Sequence, residues 1–241
     1  QLDRKLQTLK AEFGYIWDGE IDVFKSPEAN FRDRVEFRVY KEGDERLFFA
    51  LTNREKKFFE VRECEILSRP LNTLVKTLPK ALNDAKRLRE KLFSAELLGN
   101  GGSDAVLNLV YHKKLDTAWE TEAEALSKEF SISVTGRSKG ELKVIGRDYV
   151  TRTFEVGGEK LRYIIKQNCF SQPNGSVNEK MLGWAQNVAS GTGDLIELYC
   201  GSGNFTVAFA KKYRRVFATE VVKEAIDAAK TNKELNGLEN L

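Results

Sequence analysis

The spacing of apolar positions changes period several times along the chain. Leu2, Leu6, Leu9 and Phe13 recur at helical intervals, which predicts an amphipathic helix over residues 2–13 that Gly14 ends. From Phe31 to Tyr40 (FRDRVEFRVY) the period falls to two. Val35, Phe37 and Val39 alternate with Arg34, Glu36 and Arg38, the pattern of a half-buried strand with a charged outer face. Glu42-Gly43-Asp44 reads as a turn, and Arg46–Thr52 and Lys57–Val61 continue as strands of an antiparallel meander. Helical spacing returns over Leu71–Phe93, where Pro79 is expected to split the helix, because proline lacks an N–H and best opens a new one. Gly99-Asn100-Gly101-Gly102 is a flexible turn. A strand over Val106–Tyr111 and a helix over Thr117–Phe130 follow. Four more strands are expected at Ile132–Gly136, Leu142–Ile145, Tyr149–Val156 and Leu161–Lys166, with Gly157-Gly158 turning the last pair. After a boundary near 166–175, Val177–Ala189 is a helix leading into the most distinctive stretch.

That stretch is Asp194–Glu220. Leu195, Ile196 and Leu198, interrupted by Glu197, read as a short buried strand. The loop Tyr199-Cys200-Gly201-Ser202-Gly203-Asn204 leads to a helix over Phe205–Tyr213, then to a strand over Val216–Thr219 that ends on Glu220. Strand, glycine turn, helix, strand and acid form the opening unit of a nucleotide-binding α/β sheet. Gly201 and Gly203 permit conformations and approaches that a Cβ blocks. The acid lies at about the spacing of a ribose-binding carboxylate, roughly 20 residues past the loop. A dinucleotide site favours G-x-G-x-x-G, with a phosphate on the helix N-terminus. Here Thr206 takes the place of the third glycine, and Asn204 makes the loop polar. S-adenosylmethionine, which has no phosphate to seat, suits that loop better.

Composition narrows the class. The 241 residues allow one large domain or two small ones, and 41% hydrophobic content supports a real core. No apolar run reaches the length of a membrane span. Three scattered cysteines, Cys64, Cys169 and Cys200, show no metal spacing and no disulfide framework, which makes a reducing cytoplasm the default and a metal site unexpected. The net charge of +3 is compatible with RNA without requiring it, because acids and bases are interleaved.

The segment ELYCGSGNF, preceded by NCFSQPN and followed by FATE, resembles the RNA uracil-C5 methyltransferase family. FRDRVEFRVYKEGD and LVYHKKLD resemble its tRNA (uracil-5-)-methyltransferase branch. Neither the extra N-terminal barrel nor the four-cysteine iron–sulfur cluster of the ribosomal-RNA branches is visible. The resemblance covers essentially the whole chain. It implies an α/β protein: an N-terminal α+β RNA-recognition domain with an antiparallel sheet over 1–167, then the first part of a Rossmann-like class I methyltransferase domain over 168–241. It implies methylation of uridine C5 in the T-loop of tRNA, with the T-arm as partner and S-adenosylmethionine as cofactor. A thiolate adds to C6, C5 takes the methyl group from the sulfonium, and a base removes the C5 proton as the thiolate leaves C6. The target base is expected to leave its stack. The family's nucleophilic cysteine and general-base glutamate are expected beyond Leu241, so the chain reads as an internal fragment, inactive alone, that begins at Gln1 without an initiator methionine.

The same resemblance assigns site residues. Gln172, Tyr199, Gly201, Gly203, Asn204 and Glu220 are expected at the cofactor, with Gln172 on its methionine part. Arg34, Glu36, Arg38, Phe93, His112 and Phe170 are expected at the RNA, with Phe93 stacking on a T-loop base and Phe170 against the flipped uridine. The residues alone leave alternatives open. The charged strand face suits RNA or plain solvation. Phe93 suits a helix core, His112 a structural hydrogen bond, and Phe170 with Gln172 an interdomain loop. Cys200 lies inside the cofactor loop, where a covalent RNA adduct would compete for space, and Cys169 is not at the nucleophile's position. Two other readings compete: a non-catalytic RNA-binding module, and a nicotinamide-dependent oxidoreductase using Glu220 but disfavoured by Thr206.

Overall fold

The structure, a computed structural model, describes residues 2–43, 46–189 and 191–241. Asp44 of the expected turn lies outside the described residues. The chain opens with α1 (Leu2–Phe13), as the spacing predicts, but the helix buries none of its residues. An extended strap then runs to β1 (Arg34–Glu42), which pairs with β2 (Arg46–Thr52), which pairs in turn with β3 (Phe58–Glu60). This is the expected meander, with Phe37 fully buried among the apolar residues of its strand.

Two expectations fail in the next stretch. Helix α2 (Arg69–Asp84) runs through Pro79 unbroken, and the chain leaves helical geometry at Ala85 before a single turn, α3 (Lys86–Arg89). Leu92 and Phe93 belong to a strand, β4 (Leu92–Gly99), rather than to a helix. The cause is non-local. β4 pairs with β1 on one side and with β5 (Ala105–Tyr111) on the other, and these ladders override a local helical pattern.

Helix α4 (Thr117–Phe130), capped by the Asp116 carboxylate accepting the Trp119 N–H, crosses back so that β6 (Ser133–Ser138) joins β5 in parallel. β7 (Glu141–Ile145) completes a sheet of order β3-β2-β1-β4-β5-β6-β7. One face carries the main core, in which Leu71, Leu78 and Leu82 of α2 and Trp119 of α4 meet Phe37, Phe49, Leu97, Leu107 and Val134. The opposite face is partly open.

The hairpin of β8 (Tyr149–Val156) and β9 (Glu159–Lys166) forms a separate two-stranded sheet, turned at Gly157-Gly158 as expected. Val150 covers Leu98 and Val106 on the back of the large sheet. Phe154, Leu161 and Tyr163 instead enter a second core with Leu182 of α5 (Gly175–Val188), Val207 of α6 (Asn204–Ala210) and Val216 of β11 (Arg215–Thr219). The hairpin thus lies on the N-terminal side of residue 167 yet packs with the C-terminal unit.

β10 (Asp194–Leu198) pairs with β11 in parallel, and α7 (Lys223–Leu235) packs against β9. β10 is not the fully buried strand its apolar residues suggest. Leu195 joins the second core, whereas Ile196 and Leu198 are 69% and 64% exposed, because only one face of the two-stranded sheet is covered by α6 and the hairpin.

Gly136 marks how tightly α4 lies on β6. A Cβ there would press into the Trp119 ring and lie 2.8 Å from Leu115 Cδ1. Gly136→Ala is expected to cost about 1–3 kcal/mol by overpacking, read as a lower midpoint in urea with an unchanged slope.

Candidate functional site

The two units are joined by three consecutive residues at the entry to β1. The Arg34 guanidinium donates to the carbonyl oxygens of Gln167 and Cys169 and to Ser171 Oγ. The Asp33 N–H donates to the Pro173 carbonyl at 2.8 Å, and Arg32 forms an isolated bridge with Asn174. The Asp33 carboxylate is ion-paired with Arg152 of β8, and that guanidinium lies so close to Gly175 that no Cβ fits between them. Segment 167–174, which carries Phe170 and Gln172, is therefore gripped along its length by the first sheet. Asn174 then caps α5, accepting the Val177 N–H.

The glycine loop is built from the other side. Tyr199, Gly201 and Gly203 all have positive φ (58°, 57° and 80°). For tyrosine this is a strained conformation of the kind that clusters at functional sites. Nothing lies within 4 Å of a Cβ placed on Gly201, so the space above it is open. Buried Asn232 of α7 donates to the Ser202 carbonyl at 2.9 Å and holds the loop from beneath. Asn204 and buried Asn178 of α5 exchange two amide hydrogen bonds, each 2.9 Å, which fixes the start of α6. Thr206 is 1% exposed and donates to Glu197 Oε2 at 2.6 Å. Burial pushes the Glu197 carboxyl above its ordinary range, partly offset by the Thr206 hydrogen bond.

Glu220 faces the back of the loop. Its carboxylate accepts the N–H groups of Gly201 (3.0 Å), Val221 (2.7 Å) and Val222 (2.8 Å). The Val222 and Val221 bonds, with a smaller contribution from Gly201, hold it below the usual carboxylate range. One acid therefore shapes the glycine turn and the approach to α7, while its oxygens keep further lone pairs.

Between the units lies a cleft of about 170 Å³. It gathers Gln172, Tyr199, Gly201 and Asn204 of the expected cofactor set with Arg34 and Phe170 of the expected RNA set. Phe170 is 79% exposed at its mouth. Gly203 lies behind the loop against Ala229, and Glu220 lines a second cavity, of about 580 Å³, with Thr206, Phe217 and Ile226. Arg34 is turned inward by its carbonyl partners. Arg38, Phe93 and His112 form one cluster elsewhere: the Arg38 guanidinium lies 4.0 Å from the Phe93 ring centre, and the His112 ring meets Phe93 edge-on at 4.6 Å. Phe93 is 40% exposed, so it is no core residue. Glu36, also exposed, shares the strand face of Arg38. Among the described residues no group of His, Cys, Asp or Glu side chains is arranged to hold a metal, and no helix is long and apolar enough to cross a membrane.

Residues 1–241 match the family model for tRNA (Uracil-5-)-methyltransferase. The chain belongs to that family. It is 40% identical over 245 residues to the tRNA/tmRNA (uracil-C(5))-methyltransferase of Sulfurimonas denitrificans, covering 100% of this chain and 66% of the relative. A relative of the same description from Cellvibrio japonicus is 40% identical over 242 residues, again covering 100% of this chain and 66% of its own. The chain thus spans just under two thirds of the length of these curated relatives. A crystal structure of Pyrococcus abyssi tRNA (uracil-54, C5)-methyltransferase in complex with S-adenosyl-L-homocysteine is similar with a TM-score of 0.77, at 18% identity, over 99% of this chain and 62% of that one. The fold is accordingly an N-terminal α+β unit followed by a Rossmann-like class I methyltransferase unit.

Within this family frame, the sequence reasoning missed Asp33, Arg152, Asn178 and Glu197, which all line the cleft. Asp33 is 6% exposed, and its Oδ1 has no hydrogen-bond partner. Only Glu197 gave a signal, as an acid interrupting an apolar strand; the others depend on contacts 119 (Asp33–Arg152) and 26 (Asn178–Asn204) residues apart. Because the folded Glu197 keeps its proton to higher pH than the unfolded chain does, its contribution is lost as pH rises from about 4.5 through its raised value. Glu197→Gln is expected to flatten the fall in stability across that window, read from urea midpoints at several pH values.

Proposed function

We propose that this chain supplies the cofactor-binding and RNA-docking parts of a methyltransferase that modifies uridine C5 in the T-loop of tRNA. The observation that carries the reading is the shared cleft: the glycine loop and segment 167–174 line it together, and that segment is gripped by the strand whose outer face bears Glu36 and Arg38.

The cleft fits S-adenosylmethionine chemically. That ligand brings an ammonium and a sulfonium, both cationic, and the cleft offers the unpartnered Oδ1 of buried Asp33 together with Glu197. Space above Gly201 is open, while Glu220, behind the same loop and lining the second cavity, holds the Gly201 N–H from that side. Gln172 and Tyr199 also line the cleft. When bound, S-adenosylmethionine supplies an activated methyl group. A dinucleotide fits less well, because the third glycine of its loop is replaced by Thr206, whose buried hydroxyl is committed to Glu197.

On the docking side, Phe93 and His112 offer ring faces and edges to a base, with Arg38 beside them. The exposure of Phe170 at the mouth of the cleft supports its stacking on a base that has left its stack. Burial raises the pKa of both Cys169 and Cys200, so each is held as a thiol. In this reading the thiolate that adds to C6 and the base that takes the C5 proton come from other parts of the full polypeptide.

Isothermal calorimetry on the full polypeptide tests the reading. Heat is expected with S-adenosylmethionine and with a T-arm hairpin, and Gln172→Ala should weaken the cofactor about tenfold, the effect of one lost hydrogen bond. No heat from either ligand, or heat from a nicotinamide dinucleotide instead, would overturn it.

A further inference from the structure

The partly open face of the large sheet can be read row by row from its register. One row runs Arg38, Ser94, Val110, Arg137 and Leu142 across β1, β4, β5, β6 and β7. The next runs Glu36, Glu96, Asn108, Thr135 and Val144. We infer that the RNA crosses the strands along the first row, and that Arg137 is a second phosphate-binding residue at its far end. This rests on the docking reading above.

The side on which Arg137 projects is settled by its neighbours. Gly136 faces α4, where a Cβ would meet Trp119, and Ser138 donates to the Lys113 carbonyl from a buried position. Alternation along β6 then puts Arg137 on the opposite face, and it is exposed. Glu141 and Lys143 of β7 lie on the α4 side, where Lys143 pairs with Glu120 at 2.8 Å. Among the described residues no hydrogen bond, ion pair or ring contact engages the Arg137 guanidinium, whereas that of Arg38 at the other end is held over Phe93. Both guanidiniums lack a carboxylate partner on this face. The carboxylates belong to the neighbouring row, and there Glu96 Oε2 already accepts from Asn108 and Gln167.

Charge and distance select the partner. Two arginines flank the exposed Phe93 and His112, the combination of cations and stackable rings that single-stranded and looped RNA requires. β1 and β6 are three strand spacings apart, about 14 Å. With one charge per ~3.4 Å of rise along a strand, that span meets more than one phosphate. Arginine at such a site positions the backbone and reads no sequence.

The test is the affinity of the full polypeptide for a T-arm hairpin, measured by fluorescence anisotropy across a salt series, for Arg137→Gln and Arg38→Gln. Arg137→Gln should weaken binding about five- to tenfold at low salt. The slope of log affinity against log salt should become shallower by about 0.7, the single-strand value for the loss of one phosphate contact. Affinity for S-adenosylmethionine and the melting temperature should be unchanged, and Arg137→Lys should keep most of the slope. If Arg137→Gln binds as the wild type does while Arg38→Gln is weakened, Arg137 is merely solvated and the crossing path is wrong, with the docking face intact. If both bind as the wild type does, the docking reading fails with it.

Discussion

The arrangement depends on the grip of Arg32, Asp33 and Arg34 upon residues 167–174. A guanidinium has five donors in a fixed plane, and Arg34 spends several of them on carbonyl and hydroxyl oxygens of one irregular segment. An extended segment of this kind has no ladder of its own, so its buried carbonyls need donors from elsewhere. The Asp33–Arg152 pair adds a second tie, between the entry to β1 and the β8–β9 hairpin. A buried ion pair contributes little net stability compared with apolar packing, but breaking it leaves a buried charge unpaired. Its structural effect here is to fix the angle and distance of two separately packed cores.

The glycine loop depends on a different set of polar contacts. Tyr199 holds a backbone conformation that few L-residues tolerate, and the surroundings over-determine it. Glu220 draws in the Gly201 N–H, Asn232 draws in the Ser202 carbonyl, and the Asn178–Asn204 pair locks the helix that follows. Each partner comes from a different element: the end of β11, α7 and α5. The loop is thus held rigid around a cleft left open above Gly201.

The large sheet serves two purposes with its two faces. One is a continuous apolar core under α2 and α4. The other is covered at the Leu98–Val106 end by Val150 and left open at the Arg38–Arg137 end. Covering one end brings the glycine-loop unit beside β1, and leaving the other end bare keeps cations and aromatic rings accessible next to it. The same strand, β1, contributes Phe37 to the core, Arg34 to the clamp and Arg38 to the open face, because alternation sends its side chains both ways.

The sequence by itself determined the elements whose signal is local. The alternation of β1, the helix of residues 117–130, the hairpin at Gly157-Gly158 and the strand–glycine–helix–strand order of 194–220 were all legible, because each is set by periodicity or by turn chemistry within a few residues. What needed tertiary structure was everything decided by partners far away in the chain. Phe93 looked like the end of a helical stripe, yet lies in a strand because β1 and β5 flank it. Arg34 looked like a surface charge, yet is turned inward because carbonyls about 135 residues later need its donors. Ile196 and Leu198 looked buried, yet one face of β10 is bare, since burial belongs to the layers packed on a strand and not to its own apolarity. Asp33, Arg152 and Asn178 gave no sign in the sequence, because a polar residue becomes part of a site only when folding brings its partner within hydrogen-bonding distance.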